Sequence, residues 1–238
     1  LDQDVKLALK LLAEWNGEMN EHLPEPLIFY SWMRRLQERL VQDELGVLAQ
    51  EFGNFDPIFL ERVFRNIDGA SVWCDIVQSI SIEECDTIAE LALYDAISEL
   101  RTKYKIDMTS LRWGDAHIAM HDHLTLGHIP FLNLLLNLRQ SVSGGDYTLQ
   151  RGLSSGNEYN PFENVHAAVY RGVYDFSDPD SSLYIISTGQ SGHLFSRHYD
   201  DLGQLWRRGE YISMSLDPEL AKAASNGTTK IIPASNLQ

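Results

Sequence analysis

Basic side chains are scarce in this sequence, as are cysteine, proline and long apolar runs. Lys plus Arg is 19 against 34 for Asp plus Glu, a formal net charge of −15. A surface that acidic repels phosphate backbones and anionic headgroups, so neither nucleic acid nor membrane is expected as a partner. The longest apolar candidate, Ile129 to Leu138, is interrupted by Pro130, Asn133 and Asn137. It falls short of the roughly 20 residues that a bilayer-spanning helix needs. Only two cysteines occur, Cys74 and Cys85, eleven positions apart. Their number and spacing permit a disulfide and equally permit two buried thiols, and the residues alone leave both open.

What is present suffices for a core. The chain has 238 residues, 44% of them hydrophobic and 22% charged, which is not a disordered composition. Its length suits one large domain or two small ones. Position 1 is Leu rather than an initiator Met, with no secretory signal before it, and the first residues already read as helix. The start therefore reads as a cut from something longer. The end, fading into polar Ser235 and Asn236, reads as a natural C-terminus.

The first hundred residues read as helical. Val5 to Trp15 carries helix-compatible apolar spacing, and Pro26 suits an early helical position ahead of Leu27, Tyr30, Met33, Leu36 and Leu40. Asp56 and Pro57 open a third helix that stops near Asn66 to Gly69. Ser81 with Glu84 matches a capping box before Ile88 to Leu100. After about residue 105 the character changes. Leu111 to Met120 alternates like a strand, and Val165 to Tyr174 and Ser182 to Ser187 are β-rich. Ser141 to Pro161 reads as a long loop. Ser196 is placed to cap a short helix with Asp200 and Asp201 in its first turn and Gly209 as its stop. Glu210 to Ser215 and Thr228 to Ile232 read as final strands, with a short helix from Asp217-Pro218 between them. The predicted class is α+β, with a mainly helical segment 1–105 and a strand-rich segment 106–238, both parts of one larger domain.

Three patterns carry possible chemistry. Asp115, His117, His121, Asp122, His123 and His128 fall within fourteen residues. On a strand His117, His121 and His123 would share a face. However, His117 and His123 would lie roughly 20 Å apart at about 3.3 Å per residue, too far to hold one ion without a bend. Hydrogen-bonded histidines explain the same run. Gly189-Gln190-Ser191-Gly192, with His193 or His198 as base, invites a serine-hydrolase reading. A nucleophile elbow needs glycine two positions either side of the serine, and the second of those positions is His193. A glycine-rich turn out of a strand explains those residues without catalysis. Asn226-Gly227 is a tight-turn signal, and with Thr228 it also matches a glycosylation acceptor.

Taken together, these strings resemble the penicillin acylase family of N-terminal-nucleophile hydrolases, specifically the C-terminal portion of its β subunit. Gly189-Gln190-Ser191-Gly192, Ser196, His198-Tyr199-Asp200-Asp201, Trp206 and Gly209-Glu210-Tyr211 resemble the family's C-terminal signature. Arg112-Trp113-Gly114 with His117 and His123 resembles its RWG-x-x-H…H segment. Tyr170-Arg171 through Asp175, and Asp178-Pro179-Asp180-Ser181, resemble the strand region that follows. Trp73-Cys74 and Cys85 resemble a WC…C pair seen in many members. The resemblance covers about residues 73 to 215. It departs at Arg197, where the family usually has proline, and after Gly145, where Asp146-Tyr147-Thr148-Leu149 replaces a Thr-Val-Asn run and so bears on the substrate.

The resemblance implies an αββα sandwich assembled from two chains cut from one precursor. It implies hydrolysis of the amide of an acylated amine through an acyl-enzyme. In the family the nucleophile is a Ser, Thr or Cys at the N-terminus of the larger chain, with its own α-amino group as base. The oxyanion donors, and calcium ligands where present, come from earlier segments. Leu1 has no nucleophilic atom, so no catalytic residue, cofactor or metal ligand is carried over to this chain, which alone is expected to be inactive. The matching residues Trp113, Gly114, His117, Gly189 to Gly192 and His198 to Asp201 are expected to be structural. The partners implied are the upstream remainder of the precursor (the α chain and the N-terminal part of the β chain) and a small acylated amine such as a penicillin, an acyl-homoserine lactone or an acylated peptide. A Cys74–Cys85 disulfide and a periplasmic or secreted location are also implied. The rival reading is a stand-alone, non-enzymatic binding or metal-binding domain.

Overall fold

The computed structural model describes residues 2–225 and 227–232. The chain forms two compact units, Leu1–Ala168 and Val169–Gln238. The division does not follow the composition change near residue 105, because the first unit takes in a sheet as well as the helices.

In the first unit, α1 (Asp2–Glu14), α2 (Glu25–Leu45), α3 (Pro57–Phe64) and α4 (Cys85–Tyr104) form the helical part. The local reasons match the sequence signals. Pro26 lies in the first turn of α2, where a missing N–H costs nothing. Asp56 caps α3 by accepting from the Ile58 and Phe59 amides at 2.8 and 3.3 Å. The capping box before α4 does not form. The helix starts at Cys85 after Glu84, without a side-chain cap. The Ser81 hydroxyl turns instead to Glu83, which also accepts from Ile76 N and Ser79 Oγ at 2.9 and 2.7 Å. The loop before α4 thus takes the carboxylate that a capping box would have used. Cys74 and Cys85 are bonded across that loop, with Cα atoms 5.0 Å apart.

Helices α2 and α4 pack through Leu27, Ile28, Leu36, Leu40 and Val41 against Ile88, Ala92, Leu93, Ala96, Ile97 and Leu100, all buried. Each large side chain fully buried there contributes about 1.5–3 kcal/mol. Arg35–Glu99 and Arg39–Asp95 pairs at 2.8 and 2.6 Å rim the contact. Half-exposed pairs of this kind add about 0–1 kcal/mol each, so burial carries the packing.

A four-stranded sheet completes the unit: β1 (Ile118–His121), β2 (Leu138–Ser141), β3 (Gly152–Ser154) and β4 (Asn164–Ala167), in the order β2-β1-β4-β3. β1 runs antiparallel to β2, with Ala119 opposite Gln140, and parallel to β4. The alternating stretch from Leu111 is strand only at its end. Residues 108–110 and 113–115 are 3-10 turns, because the Trp113 and Gly114 amides bond to Leu23 O and Glu21 O rather than to a strand. Between β1 and β2 the chain makes an excursion with a short helix, α5 (Leu132–Leu136). The long loop also holds one strand, β3.

In the second unit, β5 (Tyr170–Val173), β6 (Leu183–Ile186) and β7 (Ile212–Ser213) form an antiparallel sheet in that order. Val165 to Tyr174 is therefore two strands in two units. Helix α6 (Gly203–Arg208) packs on β6 and stops at Gly209, whose left-handed φ of 73° favours a residue without Cβ. Ser196 does not cap it: α6 begins after Leu202, and residues 196–202 are turns. Helix α7 (Pro218–Ala224) is capped by Asp217, which accepts from the Glu219 amide at 2.8 Å. Residues 227–232 form no strand, and Asn226, Pro233, Ser235 and Asn236 lie outside the described residues. Among the described residues no helix is long and apolar enough to cross a membrane.

Candidate functional site

Two centres gather the motif residues, one in each unit. In the first unit, Trp113 and His117 are both fully buried and stack with ring centroids 4.5 Å apart and planes 15° from parallel. Trp113 Nε1 donates to Gly144 O at 2.7 Å, tying the motif to the glycine turn after β2. Gly114 sits where a Cβ would crowd the side chains of Ser141 and Glu21. Glu21, only 7% exposed, bonds to the Ser141 hydroxyl, and its amide donates to Ser143 Oγ at 3.0 Å. Sequence reasoning did not single out Glu21. Ser141 and Ser143 lie 120 and 122 positions away, and nothing near Glu21 in the chain signals those contacts.

His117 Nδ1 lies 2.7 Å from Phe162 O. A carbonyl only accepts, so Nδ1 carries the proton and Nε2 is the bare nitrogen. That Nε2 is sealed from solvent without a partner. Burial is the largest cause of a His117 pKa lowered to about 4, against which the bond to Phe162 O and the charge of Asp146 pull weakly. A neutral histidine with its one free lone pair facing packed atoms positions its neighbours and transfers no proton. His123 accepts from the Leu126 amide through Nδ1 at 3.1 Å and belongs to the turn after β1. Among the described residues, no group of three or more His, Cys, Asp or Glu converges as a metal would require. The histidine run therefore does not assemble into such a group among the described residues.

The loop that departs from the family pattern is held inward. Asp146 accepts from Ser154 N and Oγ at 2.8 and 2.9 Å, and its own amide donates to the Tyr30 hydroxyl at 3.0 Å. Tyr147 donates to Phe55 O at 3.0 Å, while Leu149 is fully exposed.

In the second unit, the Gly189–Gly192 turn leaves β6 and folds onto residues 198–201. Ser191 N donates to His198 O at 2.9 Å. At Gly189 a Cβ would press on the His198 backbone and Asp201. His198 Nδ1 meets Asp201 Oδ2 at 2.6 Å, and Arg197 Nε donates to His198 Nε2 at 3.0 Å. With both ring nitrogens engaged, His198 has no lone pair for Ser191. The Ser191 hydroxyl oxygen instead accepts from the His193 amide at 3.1 Å. Gln190, Gly192 and Asp200 are exposed, and the Tyr199 amide closes a turn onto Ser196 O at 3.1 Å. Asp201 binds a histidine rather than a helix start. The geometry is that of a cross-braced turn in which His198 is not placed as a base for Ser191, and His193 Nδ1 accepts from the Phe195 amide at 3.2 Å.

A family model described as penicillin amidase matches residues 1–223. The chain belongs to the penicillin amidase family. Among curated relatives it is 24% identical over 230 residues to the penicillin acylase 2 proenzyme of a Pseudomonas species, covering 94% of this chain and 28% of that protein. It is 24% identical over 226 residues to the acyl-homoserine lactone acylase QuiP of Pseudomonas syringae pv. tomato, covering 89% of this chain and 26% of that one. A solved structure of thermostable penicillin G acylase from Alcaligenes faecalis aligns with 99% of this chain and 44% of its own, at 17% identity and a TM-score of 0.47. This family chain thus spans about a quarter of the length of the curated relatives it matches.

Proposed function

We propose that the chain is part of an amide hydrolase that cleaves an acylated amine through an acyl-enzyme, with the nucleophile on another segment of the protein. The observation that carries this is the family match across residues 1–223. The brace at Ser191 supports placing the nucleophile elsewhere, since His198 is occupied by Asp201 and Arg197. The chain's task is to complete the sheet sandwich and wall the acyl pocket. One feature of the first unit supports a covering segment: the excursion between β1 and β2 leaves Leu124, Ile129, Phe131, Leu134 and Leu135 exposed, from 44% to 90%. Exposed large apolar side chains concentrated on one excursion suit a surface that another segment covers. The partner is the upstream remainder of the precursor, the substrate is a small acylated amine, and the disulfide suits a periplasmic or secreted location. Calcium, where the complete enzyme holds it, would be ligated outside this chain.

The test is the purified chain alone. Residues 1–238 are expected to hydrolyse no amide, whether a phenylacetyl or a long-chain acyl probe. Activity in the purified chain that disappeared on Ser191→Ala would overturn the proposal and restore Ser191 as nucleophile.

A further inference from the structure

Residues 15–20 join α1 to α2 without helix or strand, and they carry Asn16-Gly17. One other asparagine precedes a glycine, Asn226, which lies outside the described residues. Neither motif centre includes Asn16 or Gly17. The linker is fixed on both sides of the pair. Trp15 Nε1 donates to Glu18 O at 2.9 Å, and the Trp15 ring lies 5.5 Å from that of Phe29 in α2. Met19 O accepts from the Gly144 amide at 2.7 Å. Between these ties the Glu18 amide donates to Asn16 Oδ1 at 2.9 Å, an Asx turn.

That turn closes a ring through Asn16 Cγ and Gly17 N, the two atoms that join when an asparagine cyclises to an imide. Three features favour the joining. The Glu18 N–H on Oδ1 polarises the Asn16 amide and would stabilise the oxyanion that forms as Cγ is attacked. Gly17 N donates to no acceptor among the described residues, so no hydrogen bond within the chain holds its proton. Gly17 has no side chain, and no heavy atom lies within 4 Å of where a Cβ would stand, so the approach is open. Both residues are exposed, and water reaches the reacting atoms. Other asparagines differ. Asn54 gives its Nδ2 to Ser154 O at 2.9 Å, Asn164 is buried in β4, and each precedes a bulky residue, Phe55 and Val165.

The reaction needs only water. Gly17 N bonds to Cγ as it loses its proton, the Cγ–Nδ2 bond breaks, and ammonia leaves with a proton. Water then opens the imide. Attack at Cγ gives aspartate, and attack at the former main-chain carbonyl gives isoaspartate, with the backbone routed through Cγ and the α-carboxylate free. We propose that Asn16-Gly17 is a self-modification site at which the native chain deamidates to isoaspartate, and that this loosens the linker between α1 and α2. Isoaspartate adds a backbone carbon between the ties at Trp15 and Met19 and a negative charge to an already acidic chain. The turn that Trp15 and Glu18 close no longer fits, and α1, packed through buried Val5 and Ala8, loses that support.

The inference is independent of the amidohydrolase reading and is tested on the full chain. The protein would be aged at neutral and at mildly alkaline pH, digested and mapped by mass. Isoaspartate would be counted by enzymatic methyl transfer from S-adenosylmethionine to its free α-carboxylate. The peptide containing Asn16 is expected to exchange NH2 for OH and to take the methyl label, at a rate that rises with hydroxide because Gly17 N must lose its proton. Asn16→Ser keeps an acceptor for the Glu18 amide but has no carbonyl to attack. It should fold as the parent does and lose the label at this peptide. Trypsin should cut the aged parent in α1, at Lys6 or Lys10, faster than fresh parent or equally aged Asn16→Ser, the mark of local opening. An Asn16 that stays intact in the native chain while it deamidates in urea would overturn the inference, since the fold would then protect the site. Labelled protein whose α1 is cut no faster than that of fresh protein would overturn the loosening.

Discussion

At the residue scale, His117 ties buried chemistry to pH. Its pKa falls from the ordinary 6.5 to about 4 on burial. Between those values the unfolded chain binds a proton that the native chain refuses. The stability His117 gives is therefore complete above about pH 6.5 and is lost as pH falls toward 4. A gap of this size is worth about 3 kcal/mol. Urea unfolding of the chain and of His117→Gln, at pH values spanning this window, would isolate it. The variant is expected to be less stable at neutral pH and to show a pH slope smaller by about one proton. Equal slopes in the two proteins would mean that His117 titrates freely. His121, also lowered by burial, contributes to both proteins and cancels in the comparison. The sequence showed that Trp113, Gly114 and His117 belong together. It could not show which nitrogen is bare, because Phe162 lies 45 positions away.

At the element scale, helices were legible where capping and periodicity are local. Pro26 and the Asp56-Pro57 pair marked α2 and α3 because their signals act within one turn. The capping box at Ser81 and the helix start at Ser196 were misread for one reason: in each case a nearby side chain or turn took the group first, Glu83 in one and the 193–199 turns in the other. The alternation after Leu111 was misread because Glu21 and Leu23 carbonyls claim the amides that a strand would have paired. The loop between Cys74 and Cys85 is the element whose closure can be tested. Its bridge spans eleven positions, and in the chain-entropy model a loop of that size gains about 3 kcal/mol. Cys74→Ala is expected to lower stability by about that amount and to free the 75–84 loop for proteolysis. Thiol labelling of the unfolded, unreduced protein should find no free thiol, and two labelled cysteines would refute the bridge.

At the scale of the whole molecule, the family was legible from ordered motifs, while the division at residue 168 was not, since composition changes at 105 and contacts do not. On the proposed reading the motifs pack the chain instead of arming it, and that separates two outcomes in an assembled enzyme. Trp206 is 3% exposed and lies under Arg171, whose guanidinium sits 5.0 Å from its ring. Trp206→Ala removes a buried aromatic and should cost about 3–5 kcal/mol. His198→Ala breaks the brace to Asp201 and Arg197, and at a half-exposed position should cost about 1 kcal/mol. Ser191→Ala removes only an acceptor for one backbone amide and should cost no more than that. In all three variants the molecules that do fold should turn over substrate at close to the parent rate, with the loss appearing as lower yield and melting temperature. A catalytic role leaves the opposite signature. If Ser191→Ala or His198→Ala kept the parent melting temperature while turnover fell about a thousandfold, the scale of losing a general base or nucleophile, the second unit would hold the active site and the cross-braced turn would have to open in the working enzyme.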